Sequence, residues 1–160
     1  MFLPKEQYLQ IHQSMPICCV DVVVFINDKV LLIKRADHPS IGEWWMVGGR
    51  VMRNETLQQA AIRIIKKECN LDVLDTSVIG VDETIFTTDP FGHGKGTHTV
   101  NVIMMASCTG TVQLDNTSST YFILPPNEVY KLASSQYVVK HTASAMLKRM
   151  SGTACGTATK

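Results

Sequence analysis

The chain has 160 residues, a formal net charge of +1, 45% hydrophobic and 18% charged residues. This is the profile of one globular domain long enough to bury a core. Near-neutral charge excludes a general nucleic-acid binder and a polybasic membrane surface, so any attraction for anions is local. The five cysteines, Cys18, Cys19, Cys69, Cys108 and Cys155, are odd in number and lack C-x-x-C spacing. They argue against a disulfide framework or zinc site and for reduced thiols in a cytoplasmic protein.

The opening MFLPKEQYLQIHQSMP has no basic segment leading into an apolar one, so it does not read as a signal peptide, and no apolar run approaches a membrane span. Residues 5–14 are expected to form a short helix after Pro4. Residues 17–26, ICCVDVVVFI, are β-branched and nearly all apolar, as in a strand buried on both faces. Asn27 and Asp28 mark a turn, and KVLLIKR reads as the return strand of a hairpin. A loop follows, then WWMV as a short strand entering Gly48 and Gly49. Of Trp44 and Trp45, one is expected in the core, because neighbours on a strand face opposite ways.

Over residues 56–70, Leu57, Ala60, Ala61, Ile64 and Ile65 recur at helical spacing. Asn54 or Glu55 is expected near the N-cap, and Asn70 in the left-handed C-cap conformation. A strand over 78–86, the loop TTDPFGHGKGT and a strong strand HTVNVIMMASC come next. TGTVQLDNTSST is turn-like and YFIL a short strand. Residues 127–149 read as two helical pieces, and 151–160 as a loose tail after a single domain over 1–150. The order implies a mixed sheet between helices, an α/β fold.

Chemistry concentrates in residues 48–71, GGRVMRNETLQQAAIRIIKKECNL. The glycines allow close backbone approach, and Arg50 and Arg63 bring forked cations suited to phosphate. Glu55 lies early in the helix, where a carboxylate suits the dipole, and is placed to pair with Arg63. Glu68 stands four residues after Ile64, on the same helix face. Asp21 interrupts an apolar strand, and a buried lone carboxylate needs a partner. Arg35, across the hairpin, is the candidate.

Gly49, five residues, Glu55, seven residues and Arg63 resemble the first half of the Nudix hydrolase pattern, Gly-x5-Glu-x7-Arg-Glu-U-x-Glu-Glu-x-Gly-U, with U bulky and apolar. In the second half Ile65, Glu68 and Leu71 match, while Ile64, Lys67 and Asn70 depart. The resemblance implies a Nudix-type α/β/α sandwich. Over residues 1–125, the opening MFL, Asp21, the Lys34–Arg35 strand end and Arg50 directly after the glycines resemble the GDP-mannose mannosyl hydrolase branch. In that branch water attacks the anomeric carbon and GDP leaves whole.

The resemblance implies Gly49 (through its carbonyl) and Glu68 as ligands of one Mg2+, with Mn2+ as a substitute. It implies Arg35 and Arg50 as catalytic contacts to the diphosphate, Asp21 with them as substrate contacts, and a homodimer. A single magnesium completed by water and phosphate oxygens is ordinary for this ion. The branch's adjacent Gln-His pair, a metal ligand and a general base, falls here on Thr117 and Ser118, counted back from Tyr121 and Leu124. Neither can accept a proton near neutrality. Asp115 and His93 are the replacement candidates, with His98 a third. Lys67 stands where a carboxylate is expected, and a cation about 4 Å from the metal would oppose it by on the order of 4 kcal/mol. Three readings follow: a GDP-sugar hydrolase, a Nudix enzyme cleaving the diphosphate of a nucleotide derivative, and a nucleotide-sugar-binding protein with little catalysis.

Overall fold

The apolar run at 17–26 becomes β1 (Ile17–Ile26), the central strand of a seven-stranded mixed sheet in the computed structural model, which describes residues 4–154 and side chains through Ser151. Asn27 and Asp28 both take positive φ, 48° and 63°. That is the two-residue turn whose twist suits a hairpin. It returns the chain as β2 (Lys29–Arg35), paired with β1 only at Val24, Phe25 and Ile26. The rest of that edge of β1 is taken by β4 (Val47–Arg50), antiparallel over Cys19 to Val22. The sheet therefore forks beside β1, and Arg35 and Gly48 lie at the fork.

On its other edge β1 pairs in parallel with β6 (Thr97–Thr109), which pairs antiparallel with β5 (Asp72–Phe86). The short β3 (Trp44–Trp45) and β7 (Ser118–Leu124) both pair with β2. Alternation along β1 builds two cores. Val20, Val22 and Val24 pack with Ala60, Ala61, Ile64 and Ile65 of α2 (Leu57–Cys69). Val23 and Phe25 pack with Trp45, with Val129 of α3 (Val129–Leu132), and with Val138 and Ala145 of α4 (Gln136–Ala154). Each such buried valine contributes about 1.5–3 kcal/mol. The sheet thus lies between α2 on one face and α3 and α4 on the other, the α/β/α sandwich that the resemblance implies.

Several boundaries differ from expectation. β5 begins at Asp72 rather than 78, because bulges at Val73/Asp75 and Val78/Gly80 break the period-two alternation there. β7 begins at Ser118, three residues before YFIL. The N-cap of α2 is Thr56, not Asn54 or Glu55, and forms a reciprocal capping box with Gln59. Asn70 takes the expected left-handed cap, with φ 54°. The last helical region has three pieces, with a 3-10 turn at Pro126–Glu128 ahead of α3, and α4 runs into the expected tail as far as Ala154. The rest of that tail, including Cys155, and the opening MFL lie outside the described residues. Helix α1 (Lys5–Ser14) forms as expected. Among the described residues no helix is long and apolar enough to cross a membrane, and Cys18, Cys19, Cys69 and Cys108 are free thiols.

Candidate active site

Local chemistry first ties β4 to α2. Arg63 forks onto Glu55, with Nε donating to Oε2 at 2.9 Å and Nη2 to Oε1 at 2.6 Å. Nη2 also donates to the Arg50 carbonyl at 3.0 Å, and the Met52 N–H donates to Glu55. Arg63 holds the Glu55 carboxyl below its ordinary range, mainly through the hydrogen bond. The pair thus clamps the loop between β4 and α2 and sets the phase at which Glu68 emerges, roughly one and a half turns after Arg63.

Glu68 projects toward Gly49: a Cβ built there would lie 4.0 Å from Glu68 Oε1 and 3.4 Å from Ile64 Cδ1. Burial, then the nearby Asp115, pushes the Glu68 carboxyl up to about 7. Its side chain makes no hydrogen bond within the described residues. Asp115 is tied in by its own N–H, which donates to the Glu68 carbonyl at 3.1 Å. Asp115 Oδ1 accepts from Thr117 N at 2.9 Å and from Thr117 Oγ1. Asp115 Oδ2 is buried without a hydrogen bond, and the Lys67 ammonium stands 3.7 Å away.

Two cavities meet at the fork. The smaller, about 180 Å3, is lined by Arg35, Gly48, Glu68, Thr117 and Ser118 among others. The larger, about 270 Å3, is lined by Asp21, Arg35, Gly48, Gly49, Arg50, Trp45 and Asn101 among others. Arg35, His38 and Gly48 belong to both. The Arg35 guanidinium is braced by Nε donating to the Pro39 carbonyl at 2.7 Å. Burial pulls its pKa down, opposed by Asp21 and then Glu68. Arg50 lies over the Tyr8 ring of α1, 4.2 Å from its centroid. Gly49, Glu68, Asp21, Arg35 and Arg50 are therefore gathered at one place.

Asp21 is 7% exposed, and its bonded partner is not Arg35. Tyr137, on α4, donates its hydroxyl to Asp21 Oδ2 at 2.7 Å. Arg35 acts on Asp21 only through its field, and burial outweighs both, raising the carboxyl to about 6. The correction has a simple cause: Arg35 ends β2 beyond its pairing with β1, whereas α4 lies on the face toward which Asp21 points. Trp45, 7% exposed, stacks on Tyr137, whereas Trp44 packs on Phe122 near the surface.

The histidines are placed differently from expectation. His93 Nε2 is 2.8 Å from His12 Nδ1, the Lys95 N–H donates to His93 Nδ1, and Asp89 is 3.5 Å away. This cluster docks α1 on the loop after β5, and His93 lines neither cavity, so it does not join Glu68. His98 stands 3.5 Å from Glu83 on the outer strands. Tyr137, Asn101 and His12 carried no signal in the sequence; Tyr137 lies 116 residues from the carboxylate it binds.

The carboxylate that approaches Gly49, that of Glu68, is an oxygen ligand of the kind that suits a hard cation such as Mg2+. The desolvated Glu68 carboxylate, lacking a hydrogen bond and crowded by Asp115, is a fitting ligand. Among the described residues no group of three or more His, Cys, Asp or Glu side chains is placed to hold a metal. Most of the coordination shell would therefore come from backbone, water and substrate oxygens.

A family model described as the NUDIX domain matches residues 16–142. The chain is 35% identical over 86 residues to the low-salt glycan biosynthesis protein Agl8 of Haloferax volcanii, covering 54% of this chain and 55% of that protein. It is 36% identical over 89 residues to an ADP-ribose pyrophosphatase of Methanocaldococcus jannaschii, covering 56% and 50%. The chain thus spans about half the length of these relatives. Among solved structures, the NUDIX domain of Shewanella oneidensis NrtR, complexed with ADP ribose, superposes with TM-score 0.69 at 18% identity, covering 91% of this chain and 99% of that one. The E. coli dihydroneopterin triphosphate pyrophosphohydrolase superposes with TM-score 0.64 at 20% identity, covering 78% and 91%. Those two likenesses speak to the fold, and the family match, spanning most of the chain and its Glu55–Arg63 clamp, settles the relationship: the chain belongs to the NUDIX domain family.

Proposed function

We propose that this chain is a Mg2+-dependent hydrolase of a nucleoside-diphosphate sugar of the GDP-mannose type. Water bonds to the anomeric carbon as the bond from that carbon to the diphosphate oxygen breaks, and the electron pair leaves on the intact nucleoside diphosphate. The observation that carries the reading is the fork. The smaller cavity offers Glu68, the larger one Gly49, Arg50 and Asp21, and Arg35 and Gly48 line both where they meet. A diphosphate spanning the fork would leave its sugar beside Asp21.

Each side chain has a role in this reading. Glu68 and the Gly49 carbonyl would hold the ion, which would supply stabilisation of negative charge on the leaving diphosphate. Arg35 and Arg50 present forked donors to phosphate oxygens where charge develops. Asp21 contacts the sugar. Asp115 lines neither cavity but stands against Glu68 with Oδ2 accepting no hydrogen bond, so it would receive the proton of the attacking water through an intervening water, replacing the base that Thr117 and Ser118 cannot supply. In the cell the substrate would be met in the cytoplasm and the working unit would be a homodimer.

Hydrolysis of GDP-mannose in 18O-labelled water with Mg2+ tests the reaction. GDP and labelled mannose support the proposal. GMP and mannose 1-phosphate overturn it in favour of diphosphate cleavage, the chemistry named for the Methanocaldococcus relative. Binding without turnover overturns it in favour of a nucleotide-sugar-binding protein. Asp115→Asn is expected to lower kcat at least a hundredfold with binding retained; a near-native rate removes Asp115 from its role.

A further inference from the structure

A carboxylate at the centre of a packed sheet is costly to bury, and an apolar residue of similar size would pack there without that cost. Asp21 sits between Val20 and Val22, both fully buried, and has no ion pair among the described residues. Its surroundings are built to hold the group in one orientation. Tyr137 stacks on Trp45 with centroids 5.2 Å apart and planes 11° from parallel. Its other flank meets the His141 ring edge-on at 4.5 Å, and His141 is itself bonded to Asp82 at 2.9 Å. The phenol ring is therefore clamped from both sides, which fixes where its hydroxyl points.

That hydroxyl donates its single hydrogen to Asp21 Oδ2. Asn101, 2% exposed, is anchored by Nδ2 donating to Thr84 Oγ1 at 3.3 Å. Asp21 Oδ1 has no partner among the described residues. It occupies the space over Gly48 where a Cβ would stand at 2.1 Å. So one carboxylate oxygen is tethered from α4 and the other is kept clear by a glycine at the junction of both cavities.

We propose that Tyr137 is a positioning residue: it holds Asp21 so that Oδ1 faces the cavity and accepts a hydrogen bond from a hydroxyl of the substrate's sugar. The inference rests on the reading of this site as one for a nucleoside-diphosphate sugar. It adds a requirement that a structural tyrosine would not meet, because the effect must pass through Asp21.

Tyr137→Phe keeps the clamped ring and removes only the hydroxyl. Turnover of GDP-mannose is expected to lose at least tenfold in kcat, with KM changed less than threefold and an unchanged far-ultraviolet circular dichroism spectrum. On an Asp21→Asn background the same change is expected to cost less than twofold. An equal loss on both backgrounds overturns the proposal, since Tyr137 would then act independently of Asp21. A crystal structure of Tyr137→Phe gives a readout that needs no substrate: the Asp21 carboxylate is expected to rotate, and an unmoved carboxylate overturns the positioning role. If the native chain neither binds nor hydrolyses nucleotide sugars, the substrate reading falls and takes the sugar contact with it. The positioning of Asp21 is then decided by that crystal structure alone.

Discussion

Lys67 Nζ lies 3.7 Å from Asp115 Oδ2, so the cation that replaces an expected carboxylate is directed at a neighbouring acid rather than into the metal site. Its side chain is 64% exposed, which places the pair in largely aqueous dielectric. The opposition to a bound ion then falls from the ~4 kcal/mol of a half-screened contact toward the ~1 kcal/mol of water. At the proposed metal site Lys67 is therefore expected to weaken the ion's binding without abolishing it.

The first test follows from that geometry. Lys67→Glu restores the family's carboxylate and removes a nearby positive charge. Mg2+ affinity, measured by calorimetric titration, is expected to rise about three- to tenfold, roughly 0.7–1.4 kcal/mol. Unchanged affinity would mean that Lys67 is too far from the ion to matter.

Glu68 offers a test on stability alone. Its folded pKa of about 7 lies above the ordinary value of 4.5, so the fold binds this proton more tightly than the unfolded chain does. Its stabilising contribution is full below pH 4.5 and is lost as pH rises through about 7. Without metal, Glu68→Gln is therefore expected to be more stable than the native chain at pH 8, by about 1–3 kcal/mol, and to lose that advantage toward pH 4.5. Mg2+ should raise the native melting temperature and leave that of the variant unchanged. A native chain that matches the variant at every pH, with and without Mg2+, would sink the assignment.

The two glycines have separable reasons for being glycine. At Gly48 a Cβ would meet Asp21 Oδ1 at 2.1 Å and the Val20 carbonyl at 2.9 Å. At Gly49 its nearest neighbour is the flexible end of Ile64 at 3.4 Å. Gly48→Ala is expected to cost about 2–3 kcal/mol in urea unfolding, and Gly49→Ala under about 1 kcal/mol. Equal costs would contradict the packing described at the fork.

Arg63→Lys keeps the charge and loses the fork that reaches both Glu55 oxygens and the Arg50 carbonyl. The pair is partly buried, with side chains 36% and 14% exposed, so the expected loss is about 1–2 kcal/mol. Glu55→Gln should cost a similar amount, and the double variant less than the sum. Additive losses would show that the two residues do not act as one clamp.

Much of the fold was legible because its periods are strong. The valines of β1, interrupted only by Asp21, require burial on both faces, the Asn27–Asp28 turn requires a hairpin, and Leu57 to Ile65 trace a helix face. The spacing of Gly49, Glu55 and Arg63 carried the clamp, since residues eight apart across a helix start are near neighbours. β5 was half hidden, because bulges erase the alternation by which a strand is read. The N-cap was misplaced by two residues or fewer, as Thr56 competes with other good capping residues beside it.

For the site, sequence alone determined which residue types gather around Gly49 and Glu68, because local spacing along one strand and one helix dictates that meeting. Tertiary structure alone decided the partners. Asp21 is held by Tyr137 rather than Arg35, Lys67 turns to Asp115, and His93 is committed to His12. These contacts join segments far apart in the chain, and no local period or propensity encodes them. They exist only once the two faces of the sheet have been covered and the side chains on each face have been brought within bonding distance.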